Sequence, residues 1–514
     1  MKGSDLEKAM KRTKTLIPAS KNPPAKVKDK GLVRLARAGA AAFDAGSDRI
    51  LWLPLGASLA GRIRSGLAAR FLSAGVQPVR CGPGEAGTLP VAVRALKTVD
   101  QLPLCLMEDS ADSILLEGFD TEGSMPGWAA FAERLVAFLQ ERGLDLSVFE
   151  EASLAGERTV VACGCDADAR GALEARYCGA CGWAGSVDAL LQPEALPDEE
   201  ESPLQPVVTP GATTIAELCR QLGCAPERTI KTMFYAAEQA GTKTIVAALV
   251  RGDRAVSSAK LSRALGGASV RRAESLDLKQ ASCDVAGFLG PVGLPGTIRV
   301  IADLSVQGTK NRVVGANLPE THLTGACWGR DYEAPVADIS ALESGAPCPA
   351  CGKPVEKAWV RPVASFRVGH PALAAFPSLA YLDENRKRHV PVAWSGRVLV
   401  EALALASAGD GDAPFKIGLA PADVLVLPLE AGGEAARNAA VKVAEDLGKS
   451  GWIVLLDDRE TPDEPRLAEA VLTGCPVRVL VGAESKAEVS LGEVPAETVP
   501  LAEIAGVLEK LSDC

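Results

Sequence analysis

Two Cys-x-x-Cys pairs, Cys178/Cys181 and Cys348/Cys351, carry the most specific chemical spacing in the chain. Two residues between thiolates suit half of a tetrahedral zinc site, so the two pairs together could hold one structural zinc ion. That requires the stretch between them, centred on Thr209 to Asp331, to leave and re-enter its surroundings at neighbouring points. Four reduced thiols without metal are the alternative. Inside the stretch, Gly290-Pro291-Val292-Gly293 is a loop whose missing side chains let backbone N–H groups approach a carbonyl or a water, although most such loops are only turns. Lys231, between Ile230 and Thr232, is a single cation that suits a phosphate, or else an ordinary surface lysine. His322 is one of three histidines in 514 residues. No Ser/His/Asp or Cys/His arrangement suggests a nucleophile, Arg251 and Asp253 read as partners of each other, and Cys163/Cys165 are too close in sequence for a typical metal pair.

The length of 514 residues implies roughly three or four domains. Hydrophobic residues make up 47% and mean hydropathy is +0.12, enough for buried cores, which argues against global disorder. A formal charge of -10 argues against non-specific coating of nucleic acid. Residues 1–37 nevertheless hold eleven Lys/Arg, a segment that either meets a phosphate backbone or is merely solvated. The N-terminus is charged and lacks an apolar core, so no signal peptide is expected, and the apolar run Val390 to Ala408 is broken by Arg397 and Glu401, so no membrane span is expected. Fourteen Cys with close pairings fit a cytoplasmic protein with a metal site better than a disulfide scaffold.

The positioning elements follow from periodicity. Helices are expected over Gly31 to Phe43, Ser58 to Ala74 and Trp128 to Gly143, with a strand at Arg49 to Leu55 stopped by Pro54 and Gly56. Pro193 to Pro203, with its acidic run, reads as a solvated linker. Beyond it come a helix at Thr214 to Leu222, strands at Ile230 to Tyr235 and Lys243 to Leu249, a helix at Ser257 to Leu265 and a strand at Thr297 to Ala302. After a second linker at Ala408 to Pro414, strands at Asp423 to Pro428, Trp452 to Asp457 and Arg478 to Gly482 alternate with a helix at Gly433 to Gly448, the pattern of a small α/β domain.

Taken together, these segments resemble bacterial-type prolyl-tRNA synthetases. The motifs that carry the resemblance are T-P-G at Thr209, T-I-K-T at Thr229, R-G-D at Arg251, G-P-V-G-L at Gly290, V-V-G-A-N at Val313 and W-G-R-D at Trp328. Outside the module, L-W-L-P-L-G at Leu51, D-Q-L-P-L at Asp100, V-G-H at Val368 and L-L-D-D-R at Leu455 follow in family order. The resemblance implies a mixed α/β and α+β multidomain protein: a split class II antiparallel-sheet domain (1–195 and 340–412), an inserted α+β editing domain (204–335) and an α/β anticodon-binding-like domain (418–514). It also implies a homodimer, cytoplasmic location and tRNA, through its acceptor end, as partner.

In the resembling editing domains a ribose hydroxyl of the tRNA assists water in cleaving a wrong aminoacyl ester, chiefly alanyl. The residues that match their catalytic positions are Lys231, Gly290, Asp303 and His322, with Pro291, Val292, Gly293 and Lys260 as substrate contacts and Asp303 and His322 setting pocket size and polarity. The host domain departs from the family. Where an ATP-binding Arg is expected, Cys105 to Ser113 reads C-L-M-E-D-S-A-D-S, without Arg or Lys. A triphosphate needs cations. The proline-binding motif survives only as Glu85, and the third class II motif keeps Gly396 and Arg397. The resulting expectation is an aminoacyl-tRNA deacylase that has lost proline adenylation and works beside an intact synthetase. A working ligase, which would need ATP and Mg, and a non-catalytic tRNA-binding regulator are the alternatives.

Overall fold

The computed structural model describes residues 9–19, 27–44, 47, 49–79, 96–110, 113–121, 128–153, 156–191, 199–281, 287–368, 379–409, 414–483, 486–492 and 495–512. Glu85 and the Gly-His of the V-G-H motif lie outside them. The chain divides into two compact units, one of residues 1–146, 161–173 and 359–514, the other of residues 147–160 and 174–358.

Among the described residues, the first unit holds two large sheets and two short two-stranded ones. In one large sheet, Leu104–Asp109, Ser113–Asp120, Val392–Leu399 and the strand ending at Val368 pair antiparallel in that order, and Gln77–Val79 adds a parallel edge. Helices Lys30–Arg37, Pro54–Ser73 and Val400–Ala408 and the helix from Trp128 to Gln140 supply the apolar cover of this sheet's core, in which Leu59, Ile63, Leu67, Leu135 and Trp394 are buried. Pro54 opens its helix where it had been expected to close a strand, because a first-turn N–H has no helical acceptor to lose. The first helix is also shorter than its pattern predicts. It ends at Arg37, Gly39 turns the chain at φ 71, and Ala41–Asp44 pairs with Arg49–Trp52.

The other large sheet of this unit is the expected α/β domain. Strands Val454–Leu456, Val424–Pro428 and Val477–Val481 run parallel; Val424–Pro428 and Val454–Leu456 are buried throughout, and helix Gly433–Lys449 packs on them. Met10–Lys11, far away in sequence, extends this sheet in parallel beside Leu455 and Leu456.

In the second unit, a five-stranded sheet has the order Ser269–Arg272, Ile230–Gln239, Thr242–Arg251, Arg299–Asp303, Val336–Ala337. One face carries Tyr235, Val246, Ala248, Val250 and Ile301 against Leu261 of helix Ser258–Ala264. The other carries Ile230, Leu249 and Ala302 against Val314 and Leu323, which belong to a second, three-stranded sheet. That sheet runs Gln205–Val208, Thr321–Ala326, Arg312–Gly315. The acidic segment expected to be a loose linker is partly tied down: Glu199 pairs with Arg228 at 2.5 Å and accepts from Asn311 at 3.3 Å, and Arg330 reaches Glu201 at 3.2 Å.

Gly118 sits under the Trp394 indole, which occupies the space an added Cβ would need. Gly118→Ala is expected to overpack the first unit by about 1–3 kcal/mol. The loss should appear as an earlier thermal transition, followed by tryptophan fluorescence.

Candidate functional site

Strand alternation sorts the candidate residues onto two faces of the five-stranded sheet. Ile230 faces the three-stranded sheet, so Lys231 projects from the opposite face, with Tyr235. Gly290 and His322 belong with the three-stranded sheet. The expected catalytic set is therefore divided in this structure.

His322 and Gly290 do come together. His322 lies on strand Thr321–Ala326, opposite Gly315, and its ring meets Phe288 edge-on at 5.5 Å. A Cβ on Gly290 would collide with the Gly315 carbonyl, so this position requires glycine. His322 Nδ1 shares a hydrogen bond of 2.6 Å with Thr209 Oγ1, and burial lowers its pKa from the ordinary histidine value. Burial thus disfavours the charged ring, and the hydrogen bond to Thr209 fixes its orientation.

Sequence reasoning passed over Asn317, which organises the loop. Its Oδ1 accepts from Gly290 N–H at 2.8 Å, its Nδ2 donates to Val292 O at 2.7 Å, and its own N–H donates to Phe288 O at 2.9 Å. Asn317 sits at φ 57, a conformation that asparagine tolerates better than most residues. Its place at the end of V-V-G-A-N, two residues after Gly315, was the available signal. In this structure the Gly290 N–H is therefore engaged by Asn317 Oδ1.

Asp303 differs from expectation as well. It is 1% exposed and accepts from Ser305 N–H (3.0 Å) and Oγ (2.5 Å), Ile339 N–H (3.0 Å) and Ser340 N–H (2.9 Å), with Arg254 at 3.6 Å. These contacts spend the carboxylate on joining the returning chain to the sheet. Lys260, expected to touch phosphate, is fully buried, its Nζ bound to Asp338 Oδ1 and Ser340 O, both at 2.8 Å. Burial lowers the Lys260 pKa and raises that of Asp338, while their mutual attraction opposes both shifts. A cation so matched is a structural tie.

Lys231 keeps a more available ammonium. It is half-buried, donates to Gly252 O at 3.2 Å, and has its pKa lowered by burial against the attraction of Asp253. Arg251 and Asp253 form the expected two-point ion pair, at 2.6 and 2.8 Å. They line a cleft of about 840 Å³ with Glu227, Arg254, Glu343 and Cys348. Pro291, Val292 and Gly293 continue the Gly290 loop, with Gly293 at φ 76. Arg397 is exposed on strand Val392–Leu399, between Leu115 and Ser365. The stretch after Leu104 is a strand with Cys105 and Met107 in the core, and helix Pro54–Ser73 sends it a cation, Arg64, which bonds Asp109 and the Ser110 carbonyl.

The four cysteines of the two pairs converge, with all Sγ atoms within 4.8 Å of one another.

Two outcomes follow from these contacts. Asn317→Ala strands the Gly290 N–H and Val292 carbonyl, at about 1–3 kcal/mol for each buried group left unpaired, and proteolysis within 287–293 should accelerate. For His322, the unfolded state binds the proton near pH 6.5 while the folded state resists it. Stability is therefore fully present above pH 6.5 and is lost as pH falls toward the lowered folded value. His322→Asn should flatten the slope of thermal stability as pH falls below about 6.5.

Comparison with known proteins matches two domain models to these regions: the aminoacyl-tRNA editing domain to residues 209–332 and the anticodon binding domain to residues 423–511. Among whole proteins, the chain is 35% identical over 319 residues to the proline–tRNA ligase of Heliobacterium modesticaldum, covering 61% of this chain and 54% of that one. It is 34% identical over 315 residues to that of Moorella thermoacetica, covering 60% and 54%. The chain thus spans about half the length of these relatives. A crystal structure of prolyl-tRNA synthetase from Cryptosporidium parvum, complexed with halofuginone and AMPPNP, aligns over 96% of this chain and 79% of its own at a TM-score of 0.47 and 8% identity. Among the described residues no helix is long and apolar enough to cross a membrane. The mixed α/β multidomain chain thus carries one region that matches an editing-domain model and one that matches an anticodon-binding-domain model, and it is similar to proline–tRNA ligases over about half of their length.

Proposed function

We propose that this chain hydrolyses the ester of a mischarged aminoacyl-tRNA at its editing domain, with alanine on proline tRNA as the first substrate to test. The observation that carries this reading is the clustering of Phe288, Gly290, Gly315, Asn317 and His322 inside the residues that match the editing-domain model. The cluster contains no nucleophilic side chain, so the attacking group is water, and the chain's part is to hold the ester and exclude the wrong geometry. Asn317 fixes the loop, and His322, held by Thr209, fixes the wall beside it. Lys231, on the other face, serves the nucleic acid as a phosphate contact. The anticodon-binding domain supports tRNA as the partner. We carry into this reading the three-part division set out from the sequence, the homodimer and the cytoplasmic location.

A second reading, that the chain also joins proline to tRNA with ATP and Mg, is favoured by the names of its relatives. The expected loss of adenylation has no support from them and rests on residues alone: the stretch Cys105 to Ser113 carries no Arg or Lys, and Arg64, which reaches it, bonds Asp109. Glu85 lies outside the described residues, so the proline-binding position adds nothing to either side.

One preparation tests both readings. Alanine should be released from Ala-tRNA(Pro), and Lys231→Ala should lower kcat/KM about 10–100-fold, the worth of a charge-assisted contact. An unchanged rate removes the role given to Lys231, and no release from any aminoacyl-tRNA favours a non-catalytic tRNA binder. Proline-dependent pyrophosphate exchange should be absent if adenylation is lost; clear exchange establishes the ligase reading.

A further inference from the structure

We infer that Cys178, Cys181, Cys348 and Cys351 hold one zinc ion, and that this ion clamps the point where the chain of the second unit leaves and returns. The inference does not rest on the deacylase reading. The two cysteine segments are built alike. Cys178 N–H donates to Trp183 O at 2.8 Å and Gly182 N–H to Cys178 O at 2.9 Å. Cys348 N–H donates to Lys353 O at 2.7 Å and Gly352 N–H to Cys348 O at 2.9 Å. Gly182 and Gly352 take the same left-handed turn, at φ 75 and 73. Two segments with unrelated flanks have thus folded into one knuckle geometry, in which the first cysteine is buried and the second exposed.

The sulfur spacing discriminates between bonding states. A zinc ion with Zn–S bonds of about 2.3 Å places its sulfurs roughly 3.8 Å apart, the edge of the tetrahedron. Cys178 and Cys351 Sγ lie 3.5 Å apart, and Cys181 and Cys348 Sγ 3.8 Å. Both separations are well beyond the disulfide length of about 2.05 Å. The whole set within 4.8 Å is too tight to surround a cluster of several irons and sulfides, and four thiolates this close together suit a single thiophilic cation.

The clamp has a mechanical target. Cys178 and Cys348 share a small core with Ala189, Leu342 and Val355. Leu342 N–H bonds Val187 O at 2.9 Å, and its carbonyl accepts from Arg176 Nε at 2.8 Å. A few residues upstream, Asp338 receives Lys260 Nζ and the Leu191 N–H, and Ile339 and Ser340 N–H reach Asp303. The metal therefore fixes the end of the segment whose beginning is bound to the sheet. Glu343 and Cys348 of that segment also line the cleft opposite Arg251 and Asp253.

The test uses the full chain purified without chelator. Elemental analysis should give one zinc per chain, and cobalt exchange should give the visible absorption of a tetrahedral tetrathiolate. Cys181→Ser/Cys351→Ser should drop zinc to background, whereas Cys219→Ser, outside the knuckles, should retain it. If the double variant fails to fold, stripping zinc from the native chain and restoring it serves instead: proteolysis within 341–352 should accelerate on removal and recover on re-addition. A metal-free chain with four titratable thiols that ignores added zinc overturns the inference. So does a disulfide within this set in non-reducing mass analysis, or zinc loss without change in proteolysis.

Discussion

The second unit depends on how its chain comes back. Between Pro335 and Leu342 the returning segment carries backbone donors into the interior, and Asp303 accepts two of them at 3.0 and 2.9 Å. A carboxylate buried to 1% exposure is stable only if its lone pairs are filled, and here Ser305, Ile339 and Ser340 fill them. Lys260 and Asp338 add a second tie at 2.8 Å. Removing either partner of such a pair leaves an uncompensated buried charge, so the pair enforces one geometry more than it adds stability. Everything downstream, including the converging cysteines and the cleft wall, inherits its position from this closure.

Closing the unit in this way separates its chemistry onto two faces. One face bears the buried ties and Lys231, which donates to Gly252 O. The other bears the loop clasped by Asn317, with Phe288 and His322 beside it. The residues clasped around the loop, Phe288, Gly290, Gly315 and Asn317, carry no nucleophilic side chain. A site of this kind works by positioning and by selecting among substrates, which suits water attack on an ester that is already activated by its attachment to tRNA.

Much of the fold was legible because local rules agreed with the global result. The buried strand Val424–Pro428 reads as a continuous apolar run, and helix Ile215–Leu222 announces itself through the Thr214/Glu217 capping box. The glycine demanded at Gly290 was visible in the sequence, but its reason, the Gly315 carbonyl, was not, since a close approach between distant segments leaves no periodic trace. The burial of Asp303 and Lys260 was illegible for the same cause: a polar residue in a motif can serve substrate or fold, and the contacts with Asp338 to Ser340 come from a segment distant in sequence. Asn317 was missed because its value lies in three simultaneous backbone contacts. Met10–Lys11 beside Val454–Leu456 was equally invisible, since two residues carry no period.

The central claim is that the editing domain, and not the class II sheet, holds the aminoacyl end of the substrate. Hydrogen exchange of the full chain with a non-hydrolysable, amide-linked 3′-alanylamino-adenosine tests it most directly. The account predicts protection at 287–293 and 315–323, with residues 104–120 and 392–399 unchanged. Protection confined to 104–120 and 392–399, with the Asn317 loop exchanging as in the free chain, would contradict it.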